Sequence, residues 1–142
     1  MRKQTDREYS NSVKLQIPSS PKYASLARNL VFQAARNEGF GFYEAADLKL
    51  IVGEAIQNVI QHAYGGRTNF PIFIECSFKK DRMEIRIRDY GVKMDEEKLS
   101  SVNLSDYRIS GLGMYMIRQL ADHFYLDKSS GNGNLMIIMK KK

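Results

Sequence analysis

Hydrophobic and polar residues along this chain change period several times, and each change marks an element. Val13, Leu15 and Ile17 alternate with polar neighbours and stop at Pro18, the pattern of a half-buried strand. Ser19-Ser20-Pro21 then reads as a helix start, with proline near the first turn, where its missing N–H costs nothing. Tyr23, Leu26, Ala27, Leu30, Val31 and Ala34 recur at helical spacing to about Asn37, and Gly39 and Gly41 end that run. A second helix is expected from Tyr43 or Glu44 to about Tyr64, stopped by Gly65-Gly66. Its apolar face is Leu48, Ile51, Val52, Ala55, Ile56, Val59 and Ile60.

The period then drops to two. Ile72, Ile74, Cys76 and Phe78 alternate with Phe73, Glu75 and Ser77; Met83, Ile85 and Ile87 alternate with Glu84, Arg86 and Arg88. With the polar turn Lys79-Lys80-Asp81-Arg82 between them, these form a hairpin with one core face and one charged face. Residues 92–110 are polar and weakly periodic, as in loops that serve as lids or binding segments. Gly111-Leu112-Gly113 opens a third helix, with Leu112, Tyr115, Met116, Ile117 and Leu120 as candidate apolar positions. Phe124 and Leu126 suggest a strand, Gly131-Asn132-Gly133-Asn134 a turn, and Leu135 to Met139 a last strand. Helices and antiparallel strands in this order predict an α/β fold, a two-layer sandwich whose sheet buries one face under the helices.

Composition narrows the picture. A chain of 142 residues with 43% hydrophobic and 27% charged residues suits one soluble domain, 1–142, with its core over about 13–139. No apolar stretch nears the ~20 residues of a membrane span. The polar start, Met1-Arg2-Lys3-Gln4, leads into no signal-peptide core. Cys76 is the only cysteine, which rules out an internal disulfide and suits a reducing cytoplasm. The net charge of +6 is compatible with nucleic acid, a nucleotide or an acidic protein. The basic residues are dispersed, without an aromatic-interleaved ribbon, which argues against direct nucleic-acid binding.

Three short segments carry candidate chemistry. Glu54, Asn58 and His62 are four residues apart and would share one stripe of the second helix. A carboxylate one turn before an amide can hold a hydrated divalent cation or orient a nucleophile; the bland alternative is a solvated helix face. Arg88-Asp89-Tyr90-Gly91 ends a strand. Its aspartate can accept from an exocyclic amino group such as that of adenine, and Gly91 permits close backbone approach; a plain turn accounts for the same residues. Ser110-Gly111-Leu112-Gly113 lies at a helix start, where unpaired amides and the helix dipole favour phosphate; the alternative is a flexible joint. It is neither the dinucleotide fingerprint nor a P-loop.

In their order and spacing these motifs resemble the GHKL nucleotide-binding superfamily. Glu54 to Tyr64 looks like its N box, Asp89-Tyr90-Gly91 like its first glycine box and Gly111-Leu112-Gly113 like its second. Within it, the chain is most similar to the small bacterial anti-sigma-factor serine kinases. It shares their Asn58 through His62-Ala63-Tyr64 pattern and the run from Gly111 to Asp122. The resemblance implies the Bergerat-type sandwich, ATP and Mg²⁺ as cofactors, and a serine/threonine protein kinase. Its partners would be a STAS-like anti-anti-sigma protein, phosphorylated on serine, and a sigma factor that it sequesters; a homodimer is also implied. Glu54 would be the general base and Asn58 the Mg²⁺ ligand. Asp89 would accept from adenine and Gly91 make room for it. Gly111, Leu112, Gly113 and Met114 would hold the phosphates. His62 would support the pocket wall or pack with Tyr64, and Arg118 would be a surface or ion-pair residue.

Two departures stand out. Lys93 replaces a second glycine of the first box, and Asn134 stands where relatives carry a threonine that supports the aspartate. They raise the alternative of a non-catalytic, nucleotide-gated switch that binds partners. A histidine-kinase catalytic domain fits less well, because no helix pair with a phosphoacceptor histidine precedes the domain.

Overall fold

Five segments of alternating residues form one five-stranded antiparallel sheet. The computed structural model describes residues 11–95, 109–128 and 131–142, with backbone alone at 109–113. In chain order the elements are β1 (Ser12–Pro18), α1 (Pro21–Asn37), α2 (Phe42–Asn58), a π-helical turn (Val59–Ala63), β2 (Pro71–Phe78), β3 (Arg82–Asp89), α3 (Ile109–Leu120), β4 (His123–Leu126) and β5 (Asn134–Lys141). The sheet order is β1-β2-β3-β5-β4. This is the expected two-layer α/β sandwich, with α2 between α1 and α3 over one face of the sheet.

Register places the core. Ile74 pairs with Ile87 and Cys76 with Ile85, while β5 sets Met136 opposite Ile87 and Ile138 opposite Ile85. All six side chains are buried, and they meet Leu48, Ile51, Val52, Ala55 and Ile56 of α2. On the other face of the sheet stand Phe73, Glu75, Arg86 and Arg88, with Lys14 bridged to Glu75 at 3.5 Å.

The first helix buries only part of the face its hydrophobic spacing suggests: Ala27 and Val31 are buried, and Leu30 and Ala34 pack against the core. Tyr23 and Leu26, expected in the core, are exposed, and the buried positions are Ala24, Ala27, Val31 and Ala35. Small side chains let α1 approach α2 closely; a face of tyrosine and leucine would hold the two apart. Likewise Tyr115 of α3 is exposed, whereas Met114 and Ile117 are fully buried.

The end of the second helix also differs. The α-helix stops at Asn58 and continues as a single π turn, with the Tyr64 N–H donating to the Val59 carbonyl at 3.0 Å. A π turn carries an extra residue, and such turns are frequent at functional sites. Helix α3 begins at Ile109, two residues before Gly111. Residues 96–108 of the expected lid lie outside the described residues. No helix among the described residues is long and apolar enough to cross a membrane.

Candidate functional site

The last residue of β3 is the one buried acidic or basic residue among the described residues. Asp89 is fully buried, yet it carries a carboxylate. Strand β3 places it there because its pairing partner on β5 is Asn134, itself buried. The Asp89 Oδ1 accepts from the Gly91 N–H and from the Asn134 Nδ2, both at 2.9 Å. The Asp89 Oδ2 is equally buried and has no hydrogen-bond partner among the described residues. Burial pushes the Asp89 carboxyl above the usual range, while the bonds from Asn134 and Gly91 and the nearby Arg88 charge pull it back. A buried acceptor left without a donor is costly, so a donor brought to this oxygen would be favoured.

Glycines let neighbouring backbone close tightly around the segment that carries this carboxylate. A Cβ at Gly91 would collide with the Ala63 carbonyl and lie 2.9 Å from the Tyr64 ring, because the Val92 N–H donates to that carbonyl at 2.8 Å. Gly133 has a φ of +71°, and a Cβ there would run into the Asp89 carbonyl. Tyr64 fixes the approach from the helix side. Its hydroxyl donates to the Pro71 carbonyl at 2.6 Å and accepts from the Tyr90 N–H at 2.8 Å, and its ring stacks on Phe70. The π turn thus delivers both the carbonyl and the hydroxyl that hold the Asp89-Tyr90-Gly91 segment.

The expected stripe on the second helix divides. Asn58 is buried in the core, and its amide Nδ2 is the other buried polar side-chain atom without a partner among the described residues. Glu54 is half-buried in a groove of about 490 Å³ between α1 and α2, shared with Arg28, Gln57 and Gln61. Burial raises its carboxyl above the ordinary range and the Arg28 charge opposes the rise. His62 leaves the stripe, because the π turn rotates it away. It is exposed and lines a pocket of about 410 Å³ with Tyr64, Arg67, Tyr90 and Gly91.

The second glycine segment stands differently from its sequence reading. Gly111 falls within the first turn of α3, whose amides have no intrahelical acceptor, and Gly113 and Met114 lie further along. The Met114 side chain is fully buried. Arg118 lies over the Phe124 ring, 5.6 Å from its centroid. Lys93 is exposed. No cluster of three or more histidine, cysteine or acidic side chains that could hold a metal by itself occurs among the described residues.

Two contributors escaped the sequence reading. Ser19 is fully buried; its hydroxyl donates to the Arg67 carbonyl at 2.5 Å and accepts from the Phe70 N–H at 3.1 Å, anchoring the loop behind Tyr64. Arg28 is the second. Only the missing side chain at Gly53 signals it, since a Cβ there would lie 2.8 Å from the Arg28 Cδ.

Residues 17–141 match the family described as histidine kinase-like ATPase domain. The chain is 32% identical over 139 residues to the serine-protein kinase RsbW of Listeria monocytogenes, covering 92% of this chain and 87% of that protein. It is 30% identical to the serine-protein kinase RsbW of Oceanobacillus iheyensis, covering 91% and 85%. Among solved structures, the RsbU and RsbW domains of a Mycobacterium tuberculosis protein superpose with a TM-score of 0.67 at 12% identity, over 92% of this chain and 32% of that one. The SiaB–SiaC complex of Pseudomonas aeruginosa superposes with a TM-score of 0.63 at 12% identity, over 98% and 94%. Motif order, the sandwich and these matches agree: the chain belongs to the histidine kinase-like ATPase family, on its RsbW-type anti-sigma-factor serine-protein kinase branch.

Proposed function

We propose that this protein is an ATP- and Mg²⁺-dependent serine/threonine protein kinase. It phosphorylates a serine on a STAS-like anti-anti-sigma partner, sequesters a sigma factor, works in the cytoplasm and acts as a homodimer. The observation that carries the nucleotide reading is the buried, unpartnered Asp89 Oδ2 at the end of β3. An exocyclic amino group is the donor this oxygen lacks. The activity in the names of its relatives, serine-protein kinase, supports transfer to a protein hydroxyl.

The residues divide the work. Asp89 Oδ2 accepts from the adenine amino group, and Gly91 lets the Ala63 carbonyl close on the segment that carries it. Asn58 would face a cation with its Oδ1, the hard oxygen such an ion requires, and its unpartnered Nδ2 is a donor suited to a phosphate oxygen. Gly111 and Leu112, in the first turn of α3, would direct backbone N–H groups at phosphate. When bound, Mg²⁺–ATP supplies a transferable phosphoryl group with part of its charge neutralised. Glu54 takes the proton of the acceptor serine hydroxyl on a carboxylate oxygen. Partial burial moves its basicity toward the range in which a general base works best, and the Arg28 charge opposes that rise.

The switch without chemistry rests on Lys93 and Asn134. Asn134 donates to Asp89, so the adenine carboxylate keeps its support and only Lys93 remains in favour of that reading. Labelled-ATP transfer to a cognate anti-anti-sigma protein decides. Label on the partner's serine, abolished by Glu54→Ala with ATP binding intact, supports the kinase; ATP binding without any transfer leaves the switch.

A further inference from the structure

Asn134 uses its side chain more fully than support of one carboxylate requires. Its Nδ2 donates both to Asp89 Oδ1 and to the Val92 carbonyl, each at 2.9 Å, and its Oδ1 accepts from the Met94 N–H at 2.8 Å. An amide has two donor hydrogens, so both are committed. Asn134 is 2% exposed and Met94 8%, so water does not compete freely for these bonds. Position 134 is more than forty residues from Asp89 in sequence, and the bonded segment Val92–Met94 is the chain that leaves the site. The single hydroxyl of a threonine has one hydrogen and could satisfy Asp89 or Val92, not both.

We infer that Asn134 is a positioning residue that makes the adenine-facing carboxylate and the Val92–Met94 segment one hydrogen-bonded unit, so that base binding at Asp89 is felt by the chain leaving the site. The inference deepens the proposed nucleotide reading and rests on it for the base. Every group in the unit belongs to the protein chain itself. Two donors on Oδ1 leave Oδ2 as the only open acceptor of Asp89. Any shift of the carboxylate toward a base pulls on the same amide that holds Val92 and Met94. Members of a shared network couple, whereas independent sites add.

The test is amide hydrogen exchange at Met94 in the full chain, with the Ile85 and Ile87 amides as the control for an intact core. Without nucleotide, Asn134→Ala should speed Met94 exchange about tenfold, the effect of one lost hydrogen bond. Asp89→Ala, a residue that does not touch Met94, should also speed it, and that effect should vanish in the Asn134→Ala background. In the parental protein, Mg²⁺–ATP should slow Met94 exchange further; at saturation in Asn134→Ala it should not. If Asn134→Ala fails to fold, Asn134→Val carries the test, with Met94 exchange still raised because its side chain can neither donate nor accept. Unchanged Met94 exchange in both variants, or an equal effect of Asp89→Ala with and without Asn134, overturns the inference. If calorimetry shows no ATP binding to the parental protein, the nucleotide reading fails. The Asp89–Asn134 cycle in free protein still decides whether the unit exists.

Discussion

Replacing Asp89 by asparagine separates what this carboxylate costs the fold from what it gives the ligand. The substitution is nearly isosteric. Its Oδ1 can still accept from Gly91 and Asn134, each at 2.9 Å in the parental chain, so the local frame survives. The change falls on Oδ2, the buried oxygen without a partner, where an amine donor now stands. Against adenine, a donor would meet a donor. The lost charge-assisted bond is worth ~1.5–3 kcal/mol, or roughly ten- to a hundredfold in ATP affinity. The free protein should respond in the opposite sense. Burial raises the folded-state carboxyl of Asp89 above its unfolded value of about 3.9, so the folded state binds more protons than the unfolded one. Its contribution to stability is therefore full below about pH 3.9 and is lost as pH rises through the folded-state value. Asparagine does not titrate, so the variant's melting temperature should gain on the parental one as pH increases across that window. Calorimetric titration with Mg²⁺–ATP at neutral pH measures the first effect, and melting across a pH series the second. Parental affinity in a folded variant would remove Asp89 from the adenine site. A melting gap that does not change with pH would refute the burial account.

The other predictions concern neighbouring groups. Glu54→Ala should keep most ATP affinity and lose phosphate transfer on the order of 10²–10⁴-fold in a labelled-ATP assay, the range for a general base, and Asn58→Ala should abolish the Mg²⁺ dependence of ATP binding in titrations with and without chelator. Arg28→Gln removes the charge that lowers the Glu54 carboxyl, so the acidic limb of the transfer profile should move to higher pH. Gly91→Ala forces a methyl group onto the Ala63 carbonyl and should cost ~1–3 kcal/mol in urea unfolding, as overpacking does. Burial pushes the Cys76 thiol up to about 12, so a thiol-specific reagent at pH 8 should label it only as the chain unfolds.

Periodicity made the architecture legible because alternation and helical spacing report one-sided burial directly. All seven apolar positions assigned to the second helix are buried. In the first helix it found Ala27 and Val31 but missed Ala24 and Ala35, because alanine carries little hydrophobic weight in a pattern, yet small residues decide how closely two helices pack. Spacing also assumed an unbroken α-helix to Tyr64. The π turn depends on contacts with Tyr90 and Val92, some thirty residues on, and no local window contains them. Asp89 and Asn134 were each visible as residues, but their pairing is a property of strand register between β3 and β5. Arg28 left its trace only in the small residue opposite, Gly53, since a long side chain crossing a helix needs a gap there.

The π turn sets a rule about where this chain can change length. Removing one residue between Val59 and Ala63 would restore ordinary helical winding at no cost to the local backbone. It would also swing the Ala63 carbonyl and the Tyr64 hydroxyl off the Val92 and Tyr90 amides they receive. The exposed stretch from Gly65 to Thr68 makes neither of those two contacts, so an added residue there changes the loop and leaves the winding of the turn as it is. The reading frame of the helix is thus locked to the position of the strand end at Asp89. Length variation near this site belongs in the loop after the turn, and a homologue shortened within the turn itself would have to rebuild the pocket around a displaced aspartate.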